Sequence, residues 1–123
     1  MSNDKQKLVV VITYGLDDER SSVAWSIANG GINNGLDVTI FLTSNAVDWV
    51  RKGAADRVHL NPEDPPMIDM INKVIDHGCF IGVCPPCAKV RGYDIEDLIP
   101  GVTLIGSKAI HDRIKEGAAT LTF

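Results

Sequence analysis

Two thiols separated by two prolines, Cys84-Pro85-Pro86-Cys87, are the residues of this chain whose type and spacing best suit chemistry. A cysteine acts as a nucleophile through its thiolate, which is favoured by backbone N–H groups at a helix start and by nearby cations. The pair follows the apolar run Cys79 to Val83 and precedes a segment that reads as a short helix, so both thiols fall at the exit of a buried strand. If that helix opens at Pro86 or just after it, Cys84 lies at or before the N-cap. Cys87 then sits in the first turn on the same side, and the two sulfurs approach each other. Pro85 and Pro86 supply no N–H, so donors to a thiolate must come from Cys87, Ala88 or beyond, with Lys89 and Arg91 adding positive charge nearby. A lowered thiol pKa at Cys84 is the expectation, and a sulfur-centred activity the leading reading.

Such cysteines have three other uses. Cysteine is often simply buried, but placement at a strand end speaks against that here. Half of a zinc site would need partners. No second Cys-x-x-Cys exists, and His59, His77 and His111 stand alone without ligand-like spacing, so no metal is expected. A thioredoxin-like fold would carry the pair early, whereas this one comes after two strands and three helices; that fold is disfavoured, though disulfide chemistry is not. Cys79 opens the strand at the opposite end of the sheet and reads as a small buried apolar residue with no role. His77 ends a helix, His111 lies on a polar helix face, and His59, in a long loop, is the reserve candidate for a base.

The elements that must position the pair alternate along the chain. Short apolar runs at Leu8 to Tyr14, Asp37 to Thr43, Cys79 to Val83, Val102 to Ile105 and Ala119 to Phe123 read as strands. Between them, Val23, Ala24, Ile27 and Ala28 have helical spacing, and Met67, Ile68, Met70, Ile71, Val74 and Ile75 form the clearest stripe. Ala46 to Lys52 is a weaker helix. Ser107 reads as the N-cap of a last one carrying Ala109, Ile110 and Ile114 and closed by Gly117. Continuous apolar strands alternating with amphipathic helices predict a five-stranded, mostly parallel sheet covered on both faces, a three-layer α/β/α sandwich. In such sheets ligands sit beyond the carboxyl ends of the strands, where Cys84 and Cys87 fall. Gly53 to Pro66 is the longest irregular piece and is a candidate to fold over a functional edge.

Composition narrows the partners. With 123 residues a single domain is expected, and a net charge of −4 offers no positive field for a nucleic-acid backbone. The polar start, Met1 to Lys7, has no leader character, and the apolar runs are strand-sized, so a cytoplasmic chain away from membranes is expected. Three cysteines in such a chain point to reduced thiols. After the first strand, Gly15-Leu16-Asp17-Asp18-Glu19 places acids where a phosphate-binding turn would lie. Those acids repel phosphate and suit the start of a helix, so no nucleotide or flavin is expected. Gly30-Gly31 and Gly35 read as helix-end and turn glycines, and no serine nucleophile elbow is present. Trp25 and Trp49 read as core or core margin; if partly exposed, they would favour self-association.

The chain resembles the DsrE/DsrF-like family, which includes small sulfur-relay proteins of the kind that feed tRNA thiolation and dissimilatory sulfur oxidation. The likeness is carried by the opening strand and Gly15, Gly35-Leu36-Asp37-Val38 before Phe41-Leu42, Cys84 through Cys87 to Arg91-Gly92, Asp97 to Val102, and Ala118 to Phe123. A cysteine at the strand end followed by arginine-glycine is its most specific element. The resemblance implies a flavodoxin-like sandwich assembling as trimers or hexamers. It implies a persulfide on Cys84, with Cys87 matching an extra cysteine of some members, and sulfur-donor and sulfur-acceptor proteins as partners without a cofactor. A dithiol redox module using Cys84 and Cys87, and a non-catalytic subunit of a sulfur-relay assembly, are the alternatives.

Overall fold

The computed structural model describes residues 5–123, so Met1 to Asp4 of the polar start lie outside the described residues. Strands β1 (Lys7–Ile12), β2 (Asp37–Leu42), β3 (Phe80–Val83), β4 (Val102–Leu104) and β5 (Ala119–Thr122) alternate with helices α1 (Arg20–Asn33), α2 (Met67–Asp76), α3 (Pro85–Val90) and α4 (Lys108–Lys115). The sheet runs β4-β3-β2-β1-β5, and every pairing in it is parallel. From β1 to β4 the chain steps steadily one way across the sheet. The connection from β4 to β5 returns past three strands, and right-handed crossovers then require its helix to lie on the opposite face.

The two faces are filled unequally. On one, Leu8, Val10 and Ile12 of β1, Val38, Ile40 and Leu42 of β2, and Ile81 and Val83 of β3 join a core with Trp25 of α1 and Met67, Met70, Ile71 and Val74 of α2. On the other, α4 lays Arg113 across the sheet: its Nε donates to Thr39 Oγ1 at 2.7 Å and its guanidinium stacks 4.6 Å from the Phe80 ring centroid. These layers are the expected sandwich.

Several local expectations change in physical detail. Residues 44–50 form a 3-10 segment rather than an α-helix, from Ser44 to Val50. Gly30 and Gly31 lie inside α1 instead of ending it, because the helix approaches the sheet closely: a Cβ on Gly31 would sit 3.0 Å from Val38 Cγ2 and 3.3 Å from Leu8 Cδ2. Ser107 holds the N-cap position of α4, but its side chain makes no capping bond. Trp25 and Trp49 are fully buried, which removes the exposed apolar surface on which self-association through them depended. Trp49 Nε1 donates to the Tyr14 carbonyl at 3.0 Å, while Trp25 Nε1 has no partner among the described residues. Asp18 takes the helix-start role expected of the acids, accepting from the Arg20 amide at 2.9 Å and from the Arg20 guanidinium. The long loop is fastened to the first turn of α1 by Ser22, whose hydroxyl donates to Asp64 at 2.6 Å. Among the described residues it makes no recorded bond to Cys84 or Cys87.

Candidate functional site

The site forms where the carboxyl ends of β2 and β3 lie side by side. Leu42 pairs with Val83, and the ladder extends one rung further, as the Cys84 amide donates to the Leu42 carbonyl at 2.9 Å. Cys84 is the N-cap of α3, in extended conformation, with Pro85 and Pro86 filling the first two helical positions. Fixed φ suits proline there, and the missing N–H groups would have had no helical partner anyway. Both cysteines are free and half-buried.

The neighbouring strand supplies what α3 cannot. After β2 the chain turns through Thr43, Ser44 and Asn45, and the Ser44 amide points at Cys87 Sγ, 3.2 Å away. Ser44 has φ 55°, a left-handed conformation that costs a non-glycine residue roughly 1–2 kcal/mol. Thr43 occupies the N-cap of the 3-10 segment, yet its hydroxyl caps nothing and lies 3.4 Å from Cys87 Sγ. An amide donor and a hydroxyl from one turn thus converge on one sulfur.

Arg91 is bound behind that sulfur. Its guanidinium donates to the Cys87 carbonyl at 3.0 Å and to Asn45 Oδ1 at 2.6 Å, and lies 3.8 Å from Asp48 Oδ1. Tyr93 donates its hydroxyl to the same Asp48 oxygen at 2.6 Å. Gly92, with φ 77°, makes this possible by ending α3 in a left-handed turn whose following amide, that of Tyr93, reaches back to the Ala88 carbonyl. The arginine-glycine pair therefore aims a cation at the site with one residue and folds the chain back over it with the next. Lys89 does not join them. It lines an open groove of about 610 Å³ with Pro85, Tyr93, Ile95 and Leu104, and among the described residues bonds to neither sulfur.

The electrostatics reverse the expectation for the pair. Burial raises the Cys84 pKa, as does its hydrogen bond to Cys87, and donation from the Cys87 amide and Thr43 does not offset them. Burial also opposes ionisation of Cys87. It is outweighed there by hydrogen bonds from the Cys84 thiol, the Thr43 hydroxyl and the Ser44 amide, with the Arg91 charge adding to them, so the Cys87 pKa is lowered. The lowered pKa falls to Cys87 because prolines empty the α3 start of donors, while the β2 turn delivers its own donors one helical turn further on. Thr43, Ser44, Asn45, Asp48 and Tyr93 were not singled out from sequence. The available signal was that Thr43 to Asn45 also follow a buried parallel strand, and adjacent strand ends share a crevice.

The remaining candidates lie elsewhere. Cys79 stands just before β3, in a cavity of about 180 Å³ with Lys5, Asp37 and His77, at the far end of the sheet. His59 bonds through Nε2 to the Asp64 carbonyl at 2.7 Å, His77 caps α2 with Nδ1 2.9 Å from the Lys73 carbonyl, and His111 is exposed on α4. Among the described residues no three His, Cys, Asp or Glu side chains gather as metal ligands would. No helix there is long and apolar enough to cross a membrane.

An all-parallel α/β sandwich with a cysteine pair at the carboxyl edge of its third strand defines the class. The chain belongs to the DsrE/DsrF-like family, whose model matches residues 6–123. It is 33% identical over 121 residues to the uncharacterized protein MJ0989 of Methanocaldococcus jannaschii, covering 95% of this chain and 99% of that one. It is 29% identical over 116 residues to the uncharacterized protein MK0008 of Methanopyrus kandleri, covering 94% and 91%. Among solved structures, the ychN protein from E. coli superposes with a TM-score of 0.75 at 20% identity, over 97% of this chain and 99% of that one. The protein BT1422 from Bacteroides thetaiotaomicron superposes with a TM-score of 0.66 at 20% identity, over 96% and 95%. These likenesses show the fold.

Proposed function

We propose that the chain is a sulfur-relay protein that accepts sulfane sulfur and passes it on as a persulfide of Cys84. The observation that carries the reading is the pair of free, half-buried thiols at the end of β3 in a DsrE/DsrF-like chain, with a cation fixed beside them. In the net reaction a cysteine sulfur bonds to the outer sulfur of a donor persulfide, the donor's S–S bond breaks, and the donor leaves as a thiolate. An acceptor thiolate then takes the outer sulfur and restores the cysteine. If Cys87 instead attacks the inner sulfur of a Cys84 persulfide, sulfide leaves and a Cys84–Cys87 disulfide remains, which is the redox alternative. Neither route calls for a cofactor. The family likeness supports a cytoplasmic homo-oligomer, a trimer or hexamer, working between donor and acceptor proteins without nucleic acid or membrane; light scattering on the purified chain reads the assembly state.

The test is intact mass after incubation with inorganic polysulfide. A relay gains sulfur, in the wild type and in Cys79→Ser alike, and peptide mapping locates it on Cys84. A disulfide module instead loses two hydrogens, and a non-catalytic subunit does not change. Sulfur on Cys79, or none in the wild type, would discard the reading.

A further inference from the structure

The donors around the pair are distributed unevenly, and this has a consequence for the direction in which sulfur moves. The Ser44 amide reaches Cys87 at 3.2 Å, the Thr43 hydroxyl lies 3.4 Å from it, and Arg91 is anchored to its carbonyl at 3.0 Å. Among the described residues, Cys84 shares Thr43 and otherwise has the Cys87 amide. The titratable and charged groups facing Cys87 are Cys84 at the α3 start, Arg91 at its end and, behind Arg91, Asp48 and Tyr93.

Building on the relay reading, we infer that sulfur arrives on Cys87 and comes to rest on Cys84, with the Thr43–Ser44 turn setting that order. Groups that hold a sulfur as thiolate have two effects. They keep it ready to attack at neutral pH, and they make it the better leaving group once it carries a second sulfur. Cys87 therefore receives first and releases readily. The less acidic Cys84 thiol is the poorer leaving group and retains what it is given.

The steps balance without an added oxidant or reductant. The Cys87 thiolate attacks the outer sulfur of a donor persulfide; the donor's S–S bond breaks and its thiolate departs, leaving a Cys87 persulfide. The Cys84 sulfur then attacks the outer sulfur of that persulfide, which keeps its own proton, and the Cys84 proton is released to solvent. The bond to Cys87 breaks, and the Cys87 thiolate is regenerated beside its donors. Cys84 and Cys87 are the reacting residues, while Thr43, Ser44 and Arg91 position charge on Cys87.

The experiment mixes the Cys79→Ser chain with sodium tetrasulfide at pH 7, quenches at short times with iodoacetamide, and maps the peptides. Sulfur is expected on Cys87 first and on Cys84 later. Cys87→Ser should load about tenfold more slowly at pH 7 and recover at alkaline pH, where Cys84 ionises for itself. Cys84→Ser should still load but keep the sulfur on Cys87. Thr43→Val should slow loading and Thr43→Ser restore it. Sulfur appearing first on Cys84, or Cys87→Ser loading at the unaltered rate, would overturn the inference. A separate readout survives failure of the relay reading: iodoacetamide alone, at pH 7, should modify Cys87 ahead of Cys84, and the reverse order refutes the assigned thiolate even if no sulfur is ever taken up.

Discussion

The two ends of β3 each carry half-buried cysteine, and their surroundings differ in every respect that matters to sulfur chemistry. Cys79 and Cys84 are separated by about 16 Å of strand. At the amino end, burial and then the Asp37 carboxylate raise the Cys79 pKa, against weaker lowering by Lys5 and the Val38 amide. At the carboxyl end, burial also opposes ionisation of Cys87, though the site is more open, and Cys87 gains the Cys84 thiol, Thr43, Ser44 and Arg91 as stabilising neighbours. Burial opposes ionisation at both ends and cannot by itself lower a thiol pKa. The sign of the neighbouring charge and the presence of donors can, and a parallel sheet gathers donors from successive strand ends at its carboxyl edge.

The largest expected effect is the contrast itself. At pH 7, iodoacetamide should modify Cys87 at least about tenfold faster than Cys79, as read by peptide mapping. Equal rates would remove the distinction between the two ends. Next comes Arg91→Ala, which deletes bonds to the Cys87 carbonyl and to Asn45 as well as the contact with Asp48. Alkylation of Cys87 should slow about threefold and the fold should lose about 1–2 kcal/mol, measured by urea unfolding. Arg91→Lys should recover the reactivity but not the stability, because an ammonium keeps the charge and loses the planar fork. Cys79 should be indifferent to either change.

The fold was legible because its signals are local. The apolar run Val38 to Leu42 and the stripe from Met67 to Ile75 each state a period, and their alternation admits few architectures. The cysteine pair was legible for the same reason, since Cys84 and Cys87 are neighbours in sequence. Which thiol has the lowered pKa was not. Thr43 and Ser44 contribute to it from more than forty residues away, brought near Cys87 only by the register that sets Leu42 opposite Val83. Gly31 was misread as a helix end for a related reason: its role is a close approach to Val38 and Leu8, which α1 does not encode by itself.

Backbone strain sharpens the comparison further. At both ends of β3 a left-handed residue lies close to a sulfur, but before Cys79 it is Gly78, at φ 71°, while facing Cys87 it is Ser44, at φ 55°. Gly78→Ala meets no atom within 4 Å, so its cost is conformational and should be about 1 kcal/mol. Ser44→Gly relieves the same penalty and returns part of it as chain entropy, for a net gain of about 0.5 kcal/mol in thermal or urea unfolding. Opposite signs at the two positions would show that the amino end is built without strain and that the thiolate end retains it. A loss of stability in Ser44→Gly would contradict that view.

The smallest effect probes Asp37. Its side chain is exposed, so water and salt screen it, and Asp37→Asn should quicken Cys79 alkylation only about twofold. The sign can be checked independently. A thiol whose folded pKa is raised contributes stability that is complete below the unfolded thiol value and is lost as pH rises through the folded one, so Cys79→Ser should flatten the alkaline fall in stability. Cys87 has the opposite sign, its contribution being present above the unfolded value and lost as pH falls through the folded one. Added salt should separate the two ends in the same way, since screening Asp37 speeds Cys79 whereas screening Arg91 slows Cys87. If both cysteines answer to salt in one direction, local charge is not what distinguishes them, and the hydrogen bonds from Thr43 and Ser44 must account for the whole difference.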